Sequence, residues 1–315
     1  MDRIKGIICA CISAATFGMI PLFANTAMLE GINNDTILVY RYVIATLVYG
    51  IYLLFRRTDM RVKADALWEV IWVGVGGYGL TAFFLFLSYH YMPTGVATSI
   101  HYLYPVVVAV FMALFFKERL SLLVKCGIIL AIAGVYFLSW SSGEIKWVGL
   151  IYALMTTLTY GTYIVSLNRP RLKAMDPDVL TFYVLAFTAV FYLIVALGRG
   201  NLTLIWEPHF LFNMSMLGIL STVISARLLV SAVKLIGSIP SSVLGTLEPI
   251  TAIAVGLFFF HEHMNGLNFI GLLMVIVAVL IVVIYMKKPA KMKVRGAERG
   301  DGEREEQYID AGNKE

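Results

Sequence analysis

The sequence predicts an all-α polytopic membrane protein: ten transmembrane helices in two inverted five-helix repeats, with both termini cytoplasmic. Three observations carry this. The 315 residues are 59% hydrophobic and only 14% charged, with a mean hydropathy of +0.81, well beyond a soluble domain. Apolar stretches close to the ~20 residues that cross a bilayer recur along the whole chain. And the chain aligns with itself at a shift of 144 positions.

The stretches fall at roughly 5–28, 36–55, 67–90, 94–116, 121–139, 147–167, 178–197, 210–235, 238–260 and 266–286. Short polar or turn-forming separators divide them, among them Gly31 to Asp35, Pro93, Ser141 to Gly143, Pro170, Gly198 to Gly200 and Gly237. The opening run outlasts the ~7–15 apolar residues of a signal peptide, so the first stretch is read as a retained span. Asp35 and Asp178 each stand before a span, where a carboxylate can cap the positive helix end. With the N-terminus inside, only Lys146 and Arg199 fall on the outer side. Arg56, Arg57, Arg61, Lys63, Lys117, Arg119, Lys125, Arg169, Arg171, Lys173 and the tail all fall inside, as basic loop residues should.

At the shift of 144, Leu103 meets Leu247, Pro105 meets Pro249, Glu118 meets Glu262 and Gly127 meets Gly271. One step less aligns Gly6 with Gly149, Gly18 with Gly161, Asp35 with Asp178 and Tyr40 with Tyr183. A unit of five spans is odd, so the second copy enters from the opposite face, a plan shared by many secondary transporters. The expected organisation is a first repeat at 1–140, a second at 145–286 and a charged, disordered cytoplasmic tail at 287–315.

Several function classes are excluded by context. The net charge of +5 lies in loops and tail, without a basic patch interleaved with aromatics, so no nucleic-acid partner is expected. Gly74, Gly76 and Gly79 satisfy a dinucleotide-binding spacing, but inside a span, where glycines serve close helix approach. His261-Glu262-His263 lacks zinc-ligand spacing. Cys9, Cys11 and Cys126 read as small apolar side chains, and Asn34-Asp35-Thr36 and Asn201-Leu202-Thr203 as chance acceptor triplets. No cofactor, metal or catalytic residue is expected, and no phosphate-gripping loop that would couple the protein to ATP.

The stretches SYHYMPTGVATSIHYLYPVVVAVFMALFFKERL and VKLIGSIPSSVLGTLEPITAIAVGLFFFHE, with Arg41-Tyr42 in the second span and Phe17-Gly18 and Tyr160-Gly161 in spans one and six, resemble the drug/metabolite transporter superfamily, specifically its EamA-type proteins. The resemblance covers residues 4 to 288. It implies a cell-membrane transporter of small organic metabolites, amino acids or related compounds leading, with export as the direction. His263, where the family has Arg, and His101-Tyr102 in span four depart from the pattern.

The candidate site residues are those that are costly in a membrane. Arg227 and Glu248 lie about ten residues either side of the turn near Gly237. At 1.5 Å per residue both sit roughly 15 Å deep, and each alone costs about 2.5–3.5 kcal/mol there. Their equal depth suggests a pair, either structural or facing a cavity, with Glu248 the residue for proton coupling. Arg41 and His101 are a second pair in depth. Ala97, His101, Tyr104, Pro105 and Val108 share one helical face, so His101 and Tyr104 should line the cavity together. Tyr78 and Tyr104 are deep enough to wall a substrate; Tyr89 and Tyr91 suit the interfacial belt. Pro105 and Pro249 read as hinges, Gly18 and Gly161 as packing positions. Spans one, three, four, six, eight and nine are expected to line the cavity. The alternatives are an exchanger of phosphorylated or nucleotide-linked sugars, with Arg41 and Arg227 holding phosphate, and a membrane enzyme acting on lipids.

Overall fold

The computed structural model describes residues 2–91, 97, 100–118, 121–138, 146–259 and 266–287. These are helical throughout, without a strand among them. The helices are α1 (Asp2–Phe17), α2 (Ile20–Leu29), α3 (Asn34–Phe55), α4 (Ala64–Ile71), α5 (Leu80–Tyr89), α6 (Tyr104–Phe116), α7 (Leu122–Leu138), α8 (Trp147–Ser166), α9 (Pro170–Ala174), α10 (Pro177–Arg199), α11 (Pro208–Gly218), α12 (Ser225–Ile236), α13 (Ser238–Gly245), α14 (Glu248–Phe259) and α15 (Gly266–Lys287). Wider π turns join α4 to α5 over Trp72–Gly79 and α11 to α12 over Ile219–Ile224. Among the described residues, six segments are long and apolar enough to cross a membrane: Asp2–Leu29, Asn34–Phe55, Ala64–Ser88, Trp147–Ser166, Pro177–Arg199 and Pro208–Ile236. The tail from 288, Pro93, Arg119, Glu262 and His263 lie outside the described residues.

The packing has the form of a twofold. Helix α3 packs on α10 and α7 on α15, each joining corresponding helices of the two sequence copies, and α6 packs on α13, two helices that belong to corresponding spans. Helix α1 packs on α12 while α8 packs on α5, and these two contacts exchange when the copies are exchanged. An interface whose partners swap in this way is the signature of a twofold relation.

The structure corrects the capping expectation by two residues. The N-cap of α3 is Asn33, whose side chain accepts from Thr36 N. That of α10 is Asp176, which accepts from Asp178 N and Val179 N, with Pro177 supplying a preset first turn. Asp35 and Asp178 sit two residues further in, within the first turn, and bind elsewhere. Asp35 accepts from Arg199 (3.3 Å) and Asn201 (2.9 Å) at the far end of α10. Asp178 pairs with Arg56 (3.5 Å) at the far end of α3, and also with Tyr49 and Arg227. Arg56 and Arg199 are themselves related by the shift of 143. Each antiparallel helix thus ties its first turn to the last turn of the other, and the two ties lie at opposite ends of the pair.

The ties are unequal. The two carboxylates are similarly buried, 14% and 11% exposed, but Asp178 holds three partners, two of them arginines, and Asp35 holds one arginine and an amide. Asp178→Asn should therefore cost about 1.5–3 kcal/mol, the value of charge-assisted bonds with arginines left behind. Asp35→Asn, which loses contact with one arginine rather than two, should cost less. Melting temperatures of the two purified variants, side by side, check the order.

Candidate functional site

Apolar helices do not by themselves make a cavity. This one arises where helices break. The residue run 100–116 is interrupted at Tyr102-Leu103, and the run 238–259 at Thr246-Leu247, positions equivalent at the shift of 144. In both cases the helix restarts with a proline in its first turn, Pro105 in α6 and Pro249 in α14, where the missing N–H is not needed. Gly18-Met19 similarly separates α1 from α2. These breaks surround a cavity of about 150 Å³ lined by residues of α1, α2, α3, α5, α8 and α14, by His101-Tyr102, and by the π turn before α5.

Charges of both signs line it. Arg41, 4% exposed, reaches in from α3. Its Nε donates to Thr222 Oγ1 at 2.7 Å, and its guanidinium lies 5.1 Å from the Tyr42 ring centre. Thr222 is held in turn by donation to Leu217 O, five residues back, inside the second π turn. One edge of the guanidinium is thereby pinned, a fork left for a planar anion. Glu248, the first residue of α14, accepts a hydrogen bond from Tyr102 and feels the field of Arg41. An ionisable group alone would be costly inside a span; here one of each sign lines the same cavity.

Aromatic rings make the walls. Tyr192, Tyr42, Tyr78, Tyr163, Tyr160 and Tyr104 form an unbroken chain of ring contacts, with centroid separations from 4.7 to 5.9 Å. His101 stands against Tyr102, Tyr104 and Tyr160. Its Nδ1 is 3.0 Å from Thr156 Oγ1, whose own proton goes to Ala153 O. The threonine can then only accept, so Nδ1 carries the proton and a neutral ring keeps Nε2 as an acceptor. The Tyr78 hydroxyl is buried and makes no hydrogen bond within the described protein, a polar group on the wall of the cavity with bonding capacity to spare.

Of the expected site residues, Arg41, Tyr78, His101, Glu248 and Gly18 line this cavity. Tyr104 stands one layer behind Tyr160 and His101, because the break at Tyr102-Leu103 interrupts the expected single face and brings Tyr102 in instead. Gly161 is a packing position: a Cβ there would press on Val107. The pairing of Arg227 with Glu248 does not form. Arg227 points across to Asp178 and Ser231, in a groove outside the cavity. Counting residues from the turn at Gly237 did not give the level: Arg227 meets Asp178 where α3 ends at Arg56, whereas Glu248 shares the cavity with Arg41, fifteen residues earlier on α3. Span two also enters the lining through Arg41 and Tyr42, while span eight contributes only support through Thr222. Tyr91 meets Tyr152, and the Tyr89 side chain lies outside those described.

Among the lining residues missed from sequence are Tyr42, Thr81, Phe86, Tyr102 and Tyr160. Tyr42 and Tyr160 stood in the aromatic motifs already noted. Tyr102 had a signal of its own, since it aligns with Thr246 beside the carboxylate. The two copies meet at this point: Tyr102 bonds Glu248, and the hydroxyl of Tyr104 fills the space a Cβ on residue 245 would need. Gly245→Ala should displace that ring and cost about 1–3 kcal/mol by overpacking, read as a lower melting temperature.

The model of the EamA-like transporter family matches the sequence twice, over residues 4–140 and 147–284. The chain belongs to that family. A curated relative, an uncharacterized transporter of Haemophilus influenzae (strain ATCC 51907 / DSM 11121 / KW20 / Rd), is 24% identical over 267 residues, covering 81% of this chain and 85% of its own. A crystal structure superimposes on this EamA-like transporter with a TM-score of 0.76 at 17% identity, over 90% of this chain and 98% of that one; the likeness is one of fold. This EamA-like protein is a multi-pass protein of the cell membrane, and the family places it among transporters rather than enzymes.

Proposed function

We propose that this EamA-like transporter exports small zwitterionic amino compounds with an apolar or aromatic side chain, amino acids leading, by alternating access. The observation that carries the reading is the presence of Arg41 and Glu248 in one small, tyrosine-walled cavity. A guanidinium fork suits a carboxylate, a carboxylate suits an ammonium, and aromatic walls suit the remainder, with cation–π attraction added for the ammonium. The Tyr78 hydroxyl supplies a further polar contact. In this reading ten spans cross the membrane with both termini inside, and two inverted halves rock about the cavity. Glu248 carries the coupling proton, and a gradient drives the cycle. The phosphorylated-sugar reading loses support because Arg227, one of its two cations, lies outside the cavity, and Glu248 would repel a polyanion.

The test is thermal stabilisation of the purified protein by apolar amino acids, by their amides and by their N-acetyl derivatives. The parent compounds should raise the melting temperature and both blocked series should not. Stabilisation by sugar phosphates instead would overturn the reading. Reporter fusions at residues 60 and 290 should both report the cytoplasm.

A further inference from the structure

The groove that holds Arg227 has no part in the transport reading above. It runs between α1, α3 and the length of chain from the second π turn into α12. One end is polar, with Lys5, Tyr52, Arg56, Asp178, Arg227 and Ser231; the rest is aliphatic, with Ile8, Val48, Ile219, Val223 and Ile224 among the walls. Ile8, Val48, Tyr52 and Ile224 are each more than a third exposed, so the groove opens sideways, toward the bilayer, rather than inward.

The twofold makes the charge at its polar end informative. At the other end of the helix pair, Asp35 is satisfied by one arginine and a neutral amide, Arg199 and Asn201. Here Asp178 is met by two arginines, Arg56 and Arg227, and Lys5 stands on the same groove. The residues equivalent to Arg227 in the first copy are Phe83 and Phe84, and it is Phe83 that lies under Arg199. Tying α3 to α10 therefore takes a single arginine. The second one, with Lys5, is a surplus of positive charge at the mouth of an aliphatic slot.

We infer that this groove is a binding site for an anionic phospholipid of the surrounding leaflet, its phosphate held by Arg56, Arg227 and Lys5 and an acyl chain laid along Ile8, Val48 and Ile224. A headgroup whose net charge is negative complements the surplus; a zwitterionic one brings its own cation and does not. Occupancy braces α1, α3 and α12 against one another at the Asp178 tie, so a bound lipid stabilises the folded protein.

The experiment is thermal unfolding of the full-length protein in a non-ionic detergent, titrated with phosphatidylglycerol, with phosphatidylcholine of the same chains, and with inorganic phosphate. Half-maximal stabilisation should need at least about tenfold less phosphatidylglycerol than phosphatidylcholine, and phosphate should have no effect at matched concentration. Arg56→Gln and Lys5→Gln, made separately, should each shrink that preference severalfold. Both side chains are exposed, so neither change empties a packed position, while Arg199→Gln at the opposite end should leave the preference intact. Equal potency of the two lipids, a preference that survives both substitutions, or reproduction of the effect by phosphate alone would each overturn the assignment.

Discussion

Arg41→Gln should lower affinity for a zwitterionic substrate by at least about a hundredfold. Truncating one partner of a buried, hydrogen-bonded charge pair at a binding contact costs about 2–5 kcal/mol, which spans that factor. Two consequences separate a substrate contact from a structural role. The guanidinium donates to Thr222 Oγ1 through Nε alone, so Arg41→Lys keeps the charge while losing the pinned planar fork. It should fold normally and recover only part of the affinity. With the cation gone, Glu248 is left as the one charge among the lining residues, so Arg41→Gln should turn the cavity's preference toward amino acid amides, which lack the carboxylate. Melting-temperature titrations with an amino acid and its amide read both effects. An Arg41→Gln protein that folds and binds the amino acid unchanged would sink the site.

Glu248→Gln should abolish the response of transport to a pH gradient while leaving a folded protein. The glutamine keeps an acceptor for the Tyr102 hydroxyl and the same volume at the start of α14, so stability should change little. What it loses is the ability to take and release a proton between the two halves of the cycle. Uptake into inverted vesicles, measured with and without an imposed pH difference, should differ many-fold for the native protein and not at all for the variant. Ammonium recognition should weaken as well, by about tenfold or more, because a charge-assisted bond becomes a neutral one. A variant that kept its full pH response would remove Glu248 from coupling.

Together these variants probe a site that was partly visible in the amino acids. Arg41, His101, Tyr78 and Glu248 were legible because a membrane makes polar groups costly: one that persists inside an apolar stretch has a reason to be there. The carboxylate beside Pro249, repeated in outline at Tyr104-Pro105, also marked the place where each copy would interrupt a helix. What could not be read was direction. Arg227 turns to Asp178 at the level where α3 ends, and Glu248 turns into the cavity beside Arg41, so residues counted from Gly237 gave neither the level nor the facing side. Tyr104 was placed on the His101 face by a period of 3.6 that the break at Tyr102-Leu103 suspends.

Membrane class, helical content and the duplication follow from local properties, hydropathy along the chain and residues recurring at a fixed interval, and these need no knowledge of neighbours. Which side chains meet does not follow from them. Glycines at Gly245 and Gly161 let particular rings and branches approach, and π turns at Trp72–Gly79 and Ile219–Ile224 shift the faces of the helices they join. Asp35 and Asp178 left the capping role to residues two places earlier and reached for arginines more than a hundred positions away. Azimuth around a helix is set by the packing of whole surfaces, and only the folded arrangement of both copies decides it.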